Sequence, residues 1–117
     1  MNCKIVENSK KRYIEMIDPI TCESDVLDII GMCIAYGADR LLLREEAFTD
    51  DFLNLKSGLA GIVLQKFTNY HIKVSAIIKD ESIVQERFKE LVYELNKTDC
   101  FMFFNNRNDA ENWIMNG

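Results

Sequence analysis

Four carboxylates that follow a short apolar run are the side chains in this sequence most able to do chemistry. The run, RLLLR at positions 40–44, is continuous and apolar, which is typical of a buried central strand. Since α/β folds bind ligands at the carboxyl ends of their parallel strands, acidic side chains there could bind a cation or transfer protons. Their spacing fits no EF-hand, and we favour a solvated acidic loop formed by Glu45, Glu46, Asp50 and Asp51.

A nucleophile next to a general base is the second kind of chemistry to look for, and the sequence has no motif for it. His71 is the only histidine, and no pattern places a serine or a cysteine beside it. The cysteines contain no CxxC pair, so we expect free thiols in a reducing compartment rather than a zinc site. We therefore expect no enzyme activity, no bound metal and no cofactor; the four cysteines are Cys3, Cys22, Cys33 and Cys100.

Two glycines, Gly58 and Gly61, lie at the start of a helix that the apolar spacing predicts over about residues 56–69. A glycine inside a helix costs about 0.5–1 kcal/mol relative to alanine, so each needs a reason. Three explanations remain open. In the first, Gly58 opens the helix where the chain enters tightly, and Gly61 passes close to a neighbouring helix of the domain. The others are a smooth strip that contacts an external partner and phosphate binding at the helix N-terminus. The strip hypothesis defines an interaction surface of Ser57, Gly58, Gly61, Gln65, Lys66, Asn69 and Tyr70.

The elements that must position these residues alternate along the chain. A hairpin is predicted at 3–7 and 12–17, and the later strands lie in RLLLR, HIKVSAII and CFMFFN. Helices are predicted between them, the third of which carries Ser82 and Gln85 as a capping box. The order ββαβαβαβα predicts an α/β fold with a mixed, mostly parallel sheet of about five strands and right-handed crossovers.

Composition limits the partners that this chain can have. Its 117 residues, 48% of them hydrophobic, fit one domain over residues 1–117. Lys and Arg number 14 against 19 Asp and Glu, and a net charge of −5 without a basic block argues against nucleic-acid binding. Since the chain has neither a signal peptide nor an apolar run approaching the ~20 residues of a membrane span, we expect a cytoplasmic protein without a membrane partner.

The stretch KSGLAGIVLQKF resembles the SSGLGxxL element of STAS domains, the fold of bacterial anti-sigma-factor antagonists. In those domains a serine caps the helix after a central strand, and its phosphorylation breaks binding to a partner kinase. The resemblance implies a STAS-like domain of two or three layers with a phosphorylation site at Ser57. Two features depart from that pattern: about a dozen residues separate the strand from Ser57, and Lys56 stands where an acidic residue could. The competing interpretation makes Ser57 a simple helix cap.

A larger part of the chain resembles a small bacterial family catalogued as domain of unknown function 4180. The matching features are FLNLKSGLAGIVLQKFTNYHIKVSAI, ELVYELN, FMFFN and the terminal AENWI, which together cover nearly the whole chain. The LKSGLAG…LQKFTNY block is the most specific of them. This resemblance implies no established activity.

We therefore expect a non-enzymatic protein-interaction or regulatory module that binds a protein partner, or a second copy of itself, through the 57–70 surface. The alternative is a small-molecule or lipid-binding domain with a pocket beside helix 57–69. That alternative predicts that Phe48, Phe52 and Tyr70 enclose a cavity, whereas an interaction module predicts a flat exposed strip.

Overall fold

Short segments rich in apolar residues form the strands of one mixed sheet. The computed structural model of the protein describes residues 3–7 and 11–116, apart from the side chain of Glu81. The strands lie side by side in chain order, with β1 antiparallel to β2 and the other neighbours parallel. The predicted five-stranded, mostly parallel sheet is therefore confirmed, and its strands are β1 Cys3–Glu7, β2 Arg12–Met16, β3 Arg40–Leu43, β4 Lys73–Ile77 and β5 Phe101–Phe104.

Helices follow each parallel strand, and their order differs from the predicted one by an additional short helix. The hydroxyl of Thr49 accepts a hydrogen bond of 3.2 Å from the main-chain nitrogen of Phe52, which caps this extra helix. The order is therefore ββαβααβαβα, with α1 Glu23–Ala35, α2 Asp50–Leu53, α3 Leu59–Asn69, α4 Glu86–Leu95 and α5 Arg107–Asn116.

The two faces of the sheet are covered by different helices. Side chains alternate along each strand, so Leu41 and Leu43 lie on one face and Leu42 on the other. The first face packs against α1, α3 and α4, because right-handed crossovers between strands in sequential order place their helices on one side. The second face packs against Ala110 and Ile114 of α5. The domain thus has three layers, with the main core between the sheet and α1, α3 and α4.

The start of α3 differs from the prediction. The chain forms a 3-10 turn over Leu55–Ser57, and Gly58 then adopts the left-handed conformation with φ of 77° before the helix begins at Leu59. The predicted helix start at about residue 56 was therefore wrong, whereas the interpretation in which Gly58 opens the helix at a tight entry agrees with its left-handed backbone. Gly61, by contrast, lies inside the helix as predicted.

The start of α4 also differs from the prediction. The helix begins at Glu86 with Gln85 as its N-cap residue, and no side chain caps it. Ser82 lies in a preceding 3-10 turn, where its main-chain nitrogen donates a 3.0 Å hydrogen bond to Asp80 Oδ1. The predicted capping box is therefore wrong, because Ser82 is hydrogen-bonded to the Asp80 carboxylate in a 3-10 turn that ends before α4 begins.

Candidate functional site

Gly61 is exposed on the outer side of α3. A Cβ atom built at this position meets nothing within 4 Å. Close packing within the domain therefore does not account for this glycine, although it was one of the three explanations that the sequence left open. Gly31 in α1 is exposed in the same way, with open space where its Cβ would lie.

The neighbouring flanks of α1 and α3 face each other along one seam. Lys66 Nζ lies 3.4 Å from Glu23 Oε1, so these two residues mark the helix flanks that face each other. Residues four apart share a helix flank, which places Ile62 beside Lys66 and Leu27 beside Glu23. Ile62 is 40% exposed and Leu27 is 45% exposed. The seam between the two helices therefore presents apolar side chains to solvent.

Exposed apolar side chains concentrate on these two helices. Across residues 3–7 and 11–116, eight large hydrophobic side chains are exposed, and five of them lie on α1 or α3 or directly after these helices. The other three are scattered over β1, α4 and the turn before α4. Exposed apolar side chains on a soluble protein often mark contact sites. We name this area the α1–α3 surface, formed by Leu27, Gly31, Ile34, Tyr36, Gly61, Ile62, Gln65, Asn69 and Tyr70.

Ser57 lies at the edge of the α1–α3 surface, where its hydroxyl stabilises the turn that leads into α3. Its single hydroxyl hydrogen is shared between the main-chain oxygens of Asp51 and Asn54, the latter at 2.9 Å, and its oxygen accepts from the main-chain nitrogen of Leu59 at 3.2 Å. This geometry is that of a capping serine displaced by one residue. Lys66, another residue of the predicted 57–70 surface, is half-buried in its ion pair with Glu23.

The predicted acidic loop consists of two separate pairs. Glu45 and Glu46 form a 3-10 turn after β3, and Asp50 and Asp51 form the first turn of α2. Glu45 accepts a 3.2 Å hydrogen bond from the main-chain nitrogen of Asp80, and Glu46 forms a 3.4 Å ion pair with Arg44. In the part of the chain that the structure describes, no three His, Cys, Asp or Glu residues are grouped to hold a metal ion.

The pocket expected beside α3 is not formed by the aromatic residues that were assigned to it. Phe48 and Phe52 are buried with their ring centroids 5.0 Å apart, and they pack against Phe88 and Phe103 in the core. Tyr70 is 51% exposed at the end of α3. The three residues therefore do not enclose a common cavity.

Sequence reasoning missed a charge network between the sheet and α5. Glu15 of β2 is only 6% exposed, and both of its carboxylate oxygens accept from Arg107, one of them at 3.0 Å from Nη1. Arg44 lies 3.8 Å from the same carboxylate, and Arg107 also pairs with Glu111. The Arg107 hydrogen bonds lower the pKa of Glu15, and the two carboxylates raise the pKa of Arg107.

One signal in the sequence pointed to this network. In RYIEM the glutamate lies between two buried apolar residues. Because side chains alternate along a strand, Glu15 lies on the same sheet face as Tyr13. A small cavity of about 120 Å³ lies next to the network and is lined by Arg44, Glu45, Glu46, Ile77, Lys79 and Arg107. Three basic and two acidic side chains line it, and the adjacent Glu15 carboxylate pairs with Arg107 and Arg44, so the charges around the cavity nearly balance.

Comparison with known proteins gives one match. Residues 8–114 match the model of a family described as a domain of unknown function (DUF4180). No curated protein and no solved structure matches the chain. Within the described ranges, no helix has both the length and the apolar character needed to cross a membrane.

Proposed function

This chain belongs to the family described as a domain of unknown function (DUF4180), and we propose that it works as a non-enzymatic protein-interaction module. Its contact area is the α1–α3 surface. The observation that carries the proposal is the concentration of exposed apolar side chains on these two helices, each of which also has an exposed glycine. Interface cores are enriched in aromatic and apolar side chains, and the tyrosines that follow α1 and α3 supply rigid contact area.

Glycine at positions 31 and 61 supports a partner that approaches the helix backbones closely. Both residues lie inside helices, where glycine weakens the helix, and neither contacts another part of the described chain through its open side. A partner helix or a second copy of this chain fits such a surface, since small residues let backbones approach. Homodimerisation through this face is the simplest version of the proposal, because an isologous contact needs only one surface.

The test is a charge placed on the surface by Gly61→Arg, with Asn112→Arg as the matched control. Both positions are exposed and helical, and both changes add one positive charge, but Asn112 lies on α5 on the opposite side of the sheet. Circular dichroism establishes that the variants fold. Analytical ultracentrifugation measures self-association, and affinity capture from source-cell lysate measures binding to other proteins.

We expect wild type and Asn112→Arg to dimerise or to capture the same partner, and Gly61→Arg to lose that contact. If all three proteins are monomeric and capture nothing in common, the interaction proposal fails. If Gly61→Arg and Asn112→Arg behave like wild type, the contact exists but does not use the α1–α3 surface.

We place the regulatory version of this function at Ser57, following the resemblance to the STAS element. The support is that Ser57 is exposed, while its hydroxyl holds the turn before α3. A phosphate would remove the donated hydrogen and bring negative charge to the N-terminus of α3 beside Lys56. Regulation predicts that Ser57→Asp weakens the contact more than Ser57→Ala does. Equal effects of the two changes would leave Ser57 with a capping role alone.

A further inference from the structure

An open-sided groove of about 450 Å³ lies between α4 and the end of β5. Ile78 and Phe103, which are 6% and 8% exposed, form its floor. Val84 and Val92 are half-buried on its wall, and Tyr93 is exposed at its rim. Small-molecule sites in proteins commonly have volumes of about 300–1,000 Å³ and mostly apolar linings. The groove has the size and the apolar lining of such a site.

The groove exists because α4 packs on the sheet through a single fully buried side chain. Phe88 is completely buried, and its ring lies 6.0 Å from that of Phe103 and 6.1 Å from that of Phe52. Leu91, Val92 and Leu95 continue the apolar stripe of the helix but stay half-buried. The apolar side chains of α4 therefore remain partly in contact with water. An apolar ligand in the groove would remove that surface from water.

Two polar groups at the groove favour one kind of ligand headgroup. Asn96 Oδ1 accepts a 2.8 Å hydrogen bond from the main-chain nitrogen of Phe103. Because that N–H can donate only to the amide oxygen, the orientation of Asn96 is fixed and its NH₂ group remains as a donor. Lys89 is the one charged residue among the described residues that line the groove.

The ammonium group of Lys89 is available to a ligand. Its Nζ lies 3.7 Å from Glu86 Oε1, and both side chains are exposed at 46% and 87%. Exposed pairs of this kind are weak, so an incoming carboxylate competes with Glu86 at little cost. The polar groups at the groove therefore suit an anionic headgroup, while the floor and wall suit an apolar chain.

We propose that this groove binds a small amphipathic carboxylate, with its apolar chain over Phe103 and Val92 and its carboxylate at Lys89 and Asn96. The site is separate from the α1–α3 surface, since α4 and β5 form it. It is also separate from the pocket that the sequence led us to expect beside helix 57–69. The proposal therefore stands or falls independently of the proposed interaction function.

The experiment uses three probes that share a ten-carbon chain and differ in headgroup: decanoate, decan-1-ol and decylamine, each below its micellar concentration or solubility limit. Nitrogen–proton correlation spectra of the full chain report both the affinity and the place of binding. Wild type is compared with Val92→Trp, which fills the groove, and with Lys89→Gln, which removes the cation. Lys56→Gln is the matched control, because it removes one exposed positive charge far from α4 in the sequence.

With decanoate we expect saturable shifts in α4 and β5. The affinity for decanoate should be about fivefold higher than for decan-1-ol, which is the effect expected of one exposed ion pair. Lys89→Gln should lose that preference and keep the binding of decan-1-ol, while Lys56→Gln should match wild type. Val92→Trp should bind none of the probes.

Three results would overturn the proposal. The first is wild type that binds none of the probes. The second is shifts that map to α1 or α3 instead of α4 and β5. The third is equal affinity for decanoate and decylamine, which would remove the role of Lys89. Lys89→Gln changes an exposed side chain, so the test does not depend on whether the larger side chain of Val92→Trp is tolerated.

Discussion

Among residues 3–7 and 11–116, Glu15 is the charged residue whose side chain the fold buries. A buried carboxylate is unfavourable unless cations and hydrogen-bond donors surround it. Here Arg107 binds both oxygens and Arg44 lies 3.8 Å away, so the charge is compensated. Since Glu15 is in β2 and Arg107 begins α5, the pair joins the first parallel strand to the helix that covers the second sheet face.

Removing Arg107 should therefore destabilise the domain. We expect Arg107→Met to lower the free energy of unfolding by about 2 kcal/mol, less than for a fully buried pair, because 41% of the Arg107 side chain is exposed and Arg44 still lies near the carboxylate. Urea denaturation measures this value. The double change Glu15→Leu with Arg107→Met should cost less than Arg107→Met alone, since no buried charge is left without its partner. A double variant that is less stable than the single one would contradict this account.

The Glu15 carboxylate also makes the stability of the fold depend on pH. The pKa of folded Glu15 lies below its ordinary value of 4.5, chiefly because Arg107 donates hydrogen bonds to it. Its contribution is therefore complete above about pH 4.5 and is lost as the pH falls through the folded pKa. Urea denaturation from neutral pH to pH 3 should show a steeper loss of stability for wild type than for Glu15→Gln. Parallel curves for the two proteins would show that other groups cause the acid sensitivity.

Two cysteines should differ in their reactivity. Cys33 is buried, and burial raises the pKa of its thiol to about 11, so little thiolate forms in the folded protein. Cys22 is exposed beside the N-terminus of α1, and its contact with the Ser24 hydroxyl helps to lower its pKa. Iodoacetamide at mildly alkaline pH, followed by peptide mass spectrometry, should show modification of Cys22 well before Cys33. The same reagent in concentrated guanidinium chloride is the control, and there the difference should vanish.

At the scale of the element, the two glycines around the start of α3 have different roles. Gly58 joins a 3-10 turn to the helix through a left-handed backbone, whereas Gly61 lies inside the helix with open space beside it. Local sequence patterns place both near the helix start but do not reveal which residue carries the unusual backbone. Their separate roles became apparent only from the backbone geometry.

Alanine at these two positions should change stability in opposite directions. Gly61→Ala should raise the free energy of unfolding by about 0.5–1 kcal/mol, because the new methyl group meets no other atom and favours the helix. Gly58→Ala should lower it by about 1–2 kcal/mol, because alanine disfavours the left-handed conformation. Thermal and urea denaturation measure both effects.

Gly31→Ala serves as the matched control for Gly61→Ala, since it changes another exposed glycine inside a helix. It should stabilise the protein by a similar amount. If Gly61→Ala instead destabilises the fold while Gly31→Ala does not, Gly61 has an internal role that its open surroundings do not indicate.

The apolar spacing along α4 indicates a stripe that faces the core but not how deeply that stripe packs. The spacing of Phe88, Leu91, Val92 and Leu95 is helical, and such a stripe normally faces the core. The structure buries Phe88 completely and leaves the others half-buried. The depth of packing depends on the position of α4 at the β5 edge of the sheet, which periodicity within one helix does not specify.

At the scale of the whole molecule, the fold was more predictable than the candidate site. RLLLR was expected to be a central strand, and β3 lies in the middle of the sheet. Strand and helix periods are local properties of the chain, so they can be identified without knowing the tertiary structure. Glu15 and Arg107 are 92 positions apart in the sequence. The seam between α1 and α3 joins one helix that precedes β3 in the chain to one that follows it. Such contacts depend on topology and lie outside any local pattern.

The sequential order of the strands has a consequence for how the domain forms during translation. Each strand pairs with the one that precedes it in the chain, so the sheet can grow by one strand at a time as the polypeptide emerges. The second face of the sheet, with Tyr13, Leu42 and Ile77, has to wait for α5, which follows all five strands. A nascent chain that has completed its sheet but not α5 therefore exposes an apolar face that is prone to aggregation. This is the stage at which a chaperone would be needed most.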